Sequence, residues 1–276
     1  MSRVSEGPIA RLLKHGYLWL MLALVYLPFY VMLIISFKDN KQFYNHPWVP
    51  TFPLHWENWA EAWDTVGVFI ANSVFLAVTA TLVTLLVAVP AAYVFGRYRV
   101  PFGGIFWAGL IILMLMPGVA NLIPLFNLMR RLSLLNSLMG LAVVTAAGGQ
   151  VFCLFVLRNF VEDMPKEFFE CARIDGASHL QQVIHVVIPQ CGGIISALAI
   201  MNFVGAWNSF ILPLIVIRDP EKLPLAVGLF RLQGAYVKQW GPLMAAYFIS
   251  AIPLVILFAF TMRLFIRGIS EGAIKG

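Results

Sequence analysis

The sequence predicts an all-α integral membrane protein with six transmembrane helices, and three observations lead there. Of 276 residues, 61% are hydrophobic and only 12% charged, where soluble domains carry roughly 25% charged. Six long intervals, 16–37, 65–96, 100–129, 132–157, 176–217 and 239–262, contain no Asp, Glu, Lys or Arg. A spanning helix needs about 20 mostly apolar residues, and each interval supplies them. The charged residues fall between these runs, as expected where a polar side chain facing lipid would lose its hydration.

Residues 1–16 are basic and read as a cytoplasmic N-terminus. The first span takes 17–37; it is too long for a signal-peptide core and has no convincing small-residue cleavage site, so it reads as retained. Segment 38–68 reads as an external loop. Its Trp48, Trp56, Trp59 and Trp63 suit either a membrane surface or an external binding face. Residues 69–265 form a five-span core whose first span starts near Phe69. The span over 100–129 holds Pro117 and Pro124 and is expected to kink. The interval 176–217 is too long for one span, so that span starts near Cys191. Residues 266–276 are a basic tail, read as cytoplasmic. With both termini inside, inner segments carry eleven Lys and Arg against eight outside, the direction the positive-inside rule favours. The net charge of +6 is scattered between apolar runs, which suits lipid headgroups rather than nucleic acid.

Function is bounded by what is missing. No ionisable residue sits in the middle of a span, whereas ion-coupled carriers place their relays there. No GxxxxGK[ST] phosphate loop occurs. The three cysteines, Cys153, Cys171 and Cys191, form no CxxC pair. Uphill transport would therefore draw its energy from another polypeptide. Neutral polar groups within the spans, such as Asn72, Thr84, Asn121 and Asn208, can bind a polyhydroxylated solute or join helices to one another.

The most informative segment is the mixed-charge stretch 158–190. It reads as two short helices. Asp163 is expected to cap the first, with Pro165 in its first turn. Gly176 can end it, since glycine enters the left-handed region without strain. In the second, from about 178 to 188, Leu180, Val183, Ile184, Val187 and Ile188 form one apolar face. His179, Gln181, Gln182 and His185 take the opposite, solvated face. Ala172 would let a partner surface approach closely. On these residues alone the segment is either a docking element or an ordinary helical loop.

Glu170-Cys171-Ala172, Gly176 and Val186-x-Ile188-Pro189 resemble the EAA loop of ABC-importer permeases: Glu-Ala-Ala, three residues, Gly, nine residues, Ile-x-Leu-Pro. Cys171, Val186 and Ile188 depart from that pattern conservatively. The run from Ala172 to Ser178, Trp207-Asn208 with Phe210, Pro224 to Gly228, Arg267-Gly268 and Gly272 to Gly276 are similar to the carbohydrate-uptake branch. Within it, the likeness is to the maltose-type second permease subunit. It covers the chain from about Phe69 to its end.

The resemblance implies a type I ABC-importer transmembrane domain with a cytoplasmic coupling helix, multi-pass in a bacterial inner membrane. Residues 69–265 become the core permease domain. The coupling residues are Glu170, Cys171, Ala172, Asp175, Gly176, Ala177 and Pro189. Glu170 would pair with a basic group in an ATPase cleft, and Lys275 in the tail would reach towards the ATPase dimer interface. Trp207, Asn208 and Phe210 would border the substrate path. The loop 218–240 would touch an extracytoplasmic solute-binding protein. A second permease subunit and two ATP-binding subunits would complete the complex. ATP and Mg would sit on those ATPases, with no cofactor on this chain and no bond chemistry performed by it. Two other readings follow from the spans alone: a stand-alone secondary carrier or channel, and a membrane-anchored receptor or scaffold.

Overall fold

The computed structural model describes residues 8–116, 118–235 and 239–273. All regular structure among them is helical. The chain starts with α1 (Pro8–Ser36), α2 (Asn40–Asn45) and α3 (Glu57–Arg97). Next come α4 (Gly103–Leu115), a 3-10 turn (Gly118–Asn121) and α5 (Leu122–Arg131). The helix α6 (Leu138–Glu162) leads into the short α7 (Lys166–Ile174). Then α8 (His179–Gln182), a π-helical turn (Val183–Val187) and α9 (Ile188–Gln190) run into α10 (Gly192–Trp207). The last helices are α11 (Ile211–Val216), α12 (Leu225–Ala235) and α13 (Trp240–Ala273).

The six expected spans take three forms. Stretches of α1, α3, α6 and α13 are each long and apolar enough to cross a membrane. A fifth arises from the α8–α9 segment and α10, bent by 83°. The expected span over 100–129 is in pieces: the 13-residue apolar α4 stops, and α5 starts anew. Met116 leaves the helical region at ψ 128°, as the residue before a proline is pushed to do. Pro124 lies in the first turn of α5, where its missing N–H breaks no helix bond.

Helix boundaries also differ from the charge-free intervals. α3 begins at Glu57 instead of near Phe69 and runs for 41 residues. Its early turns carry Glu57, Glu61 and Asp64, which favour the positive end of a helix. Hydropathy marks the lipid-facing stretch, whereas the helix continues beyond it. α13 likewise continues past residue 265 to Ala273.

Two compact units share these helices. One is Met1–Gly67 with Leu229–Ile252; the other is Val68–Gly228 with Pro253–Gly276. In the first, the loop after α1 is held by aromatic and polar contacts. Phe37 meets Trp56 edge-on at 4.7 Å and stacks on Trp59 at 5.3 Å. Lys38 is buried and donates to the carbonyls of His46 and Val49; burial pushes its pKa down. Asn58 donates to Ser36 O and Lys38 O. Trp240 stacks on Phe43 at 4.8 Å.

In the second unit, α3, α6 and α10 pack through small residues. Ala77, Ala80, Ala146 and Ala206 are buried in one seam, the composition that lets membrane helices approach closely. A Cβ on Gly149 would fall 2.3 Å from Asn202 Oδ1, and one on Gly96 would fall 2.9 Å from Val161 Cγ1. Thr84 Oγ1 donates to Ala80 O and Ala146 O, Gln150 Nε2 to Thr84 O, and Asn202 Nδ2 to Leu198 O. Such bonds contribute about 0.6 kcal/mol each on average. Further along, Asn72 donates to Glu221 O and Leu223 O, and Ser73 Oγ accepts from Leu225 N. These side chains fix the 3-10 turn at Pro220–Lys222 against α3.

Candidate functional site

The hairpin between α6 and α10 is built by specific terminators. α6 runs to Glu162, and Asp163 ends it by donating its N–H to Asn159 O. Asp163 is therefore spent on α6 and does not cap α7, as the sequence had suggested. Pro165 instead opens α7, with no side-chain cap; its fixed φ suits that position. At the other end Gly176 adopts φ +79°, the left-handed conformation predicted for it. Ala177 N then donates to Ala172 O, closing the turn. Ser178 and Gln181 form a reciprocal capping box that starts α8.

α7 has two unlike faces. Phe169 is buried, and Arg97 from the end of α3 lies over its ring at 4.1 Å. Glu170, Cys171 and Asp175 are exposed, and Ala172 is half-buried. A cleft of about 410 Å³ is lined by Phe168, Cys171, Ala172, Asp175, Gly176, Ala177, Gln181, His185 and Val186. The geometry thus brings five of the seven coupling residues to one cleft. Glu170 stands outside it on the exposed side of α7, and Pro189 lies in α9. Sequence reasoning passed over Ile174 and Phe168. Ile174 is 86% exposed and Phe168 is 45% exposed, an uncommon position for large apolar side chains on a helix that is otherwise polar. The signal was present in the sequence, since Phe168 and Ile174 fall off the register that buries Phe169.

The second arm departs from the regular helix expected over 178–188. Only Val183 and Val187 of the predicted apolar face are buried, while Leu180, Ile184 and Ile188 are exposed. A π turn follows, in which Ile188 N bonds to Val183 O five residues back, so the register slips by one residue at Ile188. Pro189, which cannot donate, follows directly. Gln182, expected on a solvated face, is buried at 2% exposure and bonded through both amide atoms. His179 lies within hydrogen-bonding distance of Tyr93 and Tyr98.

The residues expected along a substrate path sit at the end of α10. Trp207 is buried and stacks on Phe203 at 6.0 Å. Asn208 is exposed, and its side chain donates back to Val204 O. Phe210 packs against the buried cluster of Leu76, Met129, Leu141 and Val216. Lys275 lies outside the described residues. No group of three or more His, Cys, Asp or Glu among the described residues could hold a metal ion.

A multi-span helical protein with a short, partly apolar helix presented between two spans is the design of a type I ABC-importer transmembrane domain. The model of the family described as "Binding-protein-dependent transport system inner membrane component" matches residues 88–271, and the chain belongs to that family. It is a permease component of an ABC importer, in which ATP hydrolysis belongs to a separate subunit. Among its relatives is the diacetylchitobiose uptake system permease protein NgcG of Streptomyces coelicolor. The two are 29% identical over 95% of this chain and 88% of that protein. A probable ABC transporter permease protein of Pyrococcus horikoshii is 31% identical over 88% of this chain and 90% of its own. The fold matches a chain of a bacterial ABC transporter involved in import of the acidic polysaccharide alginate. There the TM-score is 0.81 at 22% identity, over 96% of this chain and 99% of that one.

Proposed function

We propose that this chain imports an oligosaccharide or related solute, paired with a second permease subunit, and is driven through α7 by two ATP-binding subunits. ATP and Mg would sit on those subunits, and an extracytoplasmic solute-binding protein would deliver the solute. The carrying observation is the exposed face of α7, with Glu170 beside Ile174 and Ala172 at the cleft. An acid next to accessible apolar surface suits a partner cleft with a basic rim. The substrate class follows the relatives, which are described as handling diacetylchitobiose and alginate.

In this reading 1–16 and 266–276 are cytoplasmic, 17–37 is the first span, 38–68 lies outside, and 69–265 is the permease core containing the coupling loop 158–190. Lys275 would contact the ATPases, while Trp207, Asn208 and Phe210 would border the path. ATP binding closes the ATPases, the docking helices are drawn together, and the spans reorient around the solute. The test is Glu170→Lys in the complete transporter. Uptake and co-purification of the ATPases should both be lost while membrane insertion is retained. Normal uptake by that variant would remove the docking assignment.

A further inference from the structure

We propose that Tyr93 is the positioning residue that ties the docking hairpin to α3, so that movement of α7 is passed to that span through its hydroxyl. This rests on α7 being the docking helix. Tyr93 is 2% exposed in the last turns of α3. A phenylalanine would fill the same volume with no polar atom to satisfy, so the hydroxyl is used for its bonds.

Proton bookkeeping fixes those bonds. Gln182 Nε2 donates to Ala177 O at 3.1 Å, which leaves Gln182 Oε1 as an acceptor. Tyr93 donates its one proton to that oxygen at 2.8 Å. His179 Nδ1 and Tyr98 Oη, each 3.0 Å from the Tyr93 hydroxyl and 3.2 Å from each other, lie on the remaining lone-pair side of that hydroxyl. The Tyr93 ring also lies 5.9 Å from that of Phe169 on α7. One side chain of α3 thus reaches α7 through Phe169, the glycine turn through Gln182 and Ala177, and α8 through Gln182 and His179.

The covalent connections of the hairpin are less suited to transmit a load. On one side the helix is interrupted between α6 and α7, over Asp163 to Pro165. On the other it passes a π turn and an 83° bend, followed by Gly192 and Gly193. The buried tie spans both breaks, on the side of the hairpin opposite exposed Glu170 and Ile174.

The experiment uses the complete transporter in proteoliposomes, with its solute-binding protein, measuring uptake and ATP hydrolysis together. Tyr93→Phe removes the hydroxyl and keeps the ring. Solute moved per ATP should fall about fivefold, the factor one buried hydrogen bond is worth, with the ATPases still co-purifying. Gln182→Leu, which approaches the tie from the hairpin, should do the same. The double variant should cost less than the two single losses combined, because both remove the shared Tyr93–Gln182 bond. An unchanged solute-to-ATP ratio in both single variants overturns the proposal. So does loss of the ATPases from either complex, since the tie would then serve assembly. Failure of the docking reading shows separately, as Glu170→Lys retaining ATPases and uptake.

Discussion

At the scale of single residues, Gly176 and Gly149 carry different constraints. Gly176 has open space around its missing Cβ, so its φ of +79° is the whole reason for glycine. A substitution there costs about 1–2 kcal/mol of backbone strain. Gly176→Val should thus leave the chain folded but shift the hairpin, cut uptake several-fold and lower the melting temperature measurably; a melting curve paired with an uptake assay checks this. Gly149 has ordinary backbone geometry but no room, because Asn202 Oδ1 occupies the place of a Cβ. Gly149→Leu should destabilise the detergent-solubilised complex by about 1–3 kcal/mol, as overpacking does, which a shift in melting temperature would register. The glycine turn was legible because its signal is local. The Gly149 contact was hidden, since it depends on which helices become neighbours.

At the scale of elements, hydropathy located the spans and missed where several helices end. α3 starts twelve residues before the expected Phe69, because helix formation does not require apolar side chains, and acids suit a first turn. The broken span over 100–129 was legible through Pro117, which disfavours helical geometry at the residue before it. The second arm of the hairpin was misread in detail. Its apolar periodicity assumed 3.6 residues per turn throughout, while the π turn shifts the register by one residue at Ile188. Gln182 reads as solvated from sequence alone, for its burial depends on a hydroxyl 89 residues earlier in the chain. The two arms also differ in what they expose. Ile174→Asp, on the outer side of α7, should weaken ATPase association by about 1 kcal/mol or more, a hot-spot cost, without changing the stability of this chain. Co-purification yield against salt-washed membranes measures it.

At the scale of the whole molecule, the chain combines apolar helices long enough to span a membrane with a short helix, α7, that exposes Glu170 and Ile174. The absence of in-span charges and of a phosphate loop pointed outward to a partner. The family match agrees with that division of labour. What the sequence could not supply is the mechanical connection, since buried side chains joining distant elements leave no periodic trace. The central claim is that this chain forms a solute path only when ATPases drive it. Uptake of labelled oligosaccharide into proteoliposomes tests it, comparing the complete transporter with this chain alone. The complete transporter should show ATP-dependent uptake, and the chain alone should show none. Solute flux through the isolated chain without ATP would contradict it.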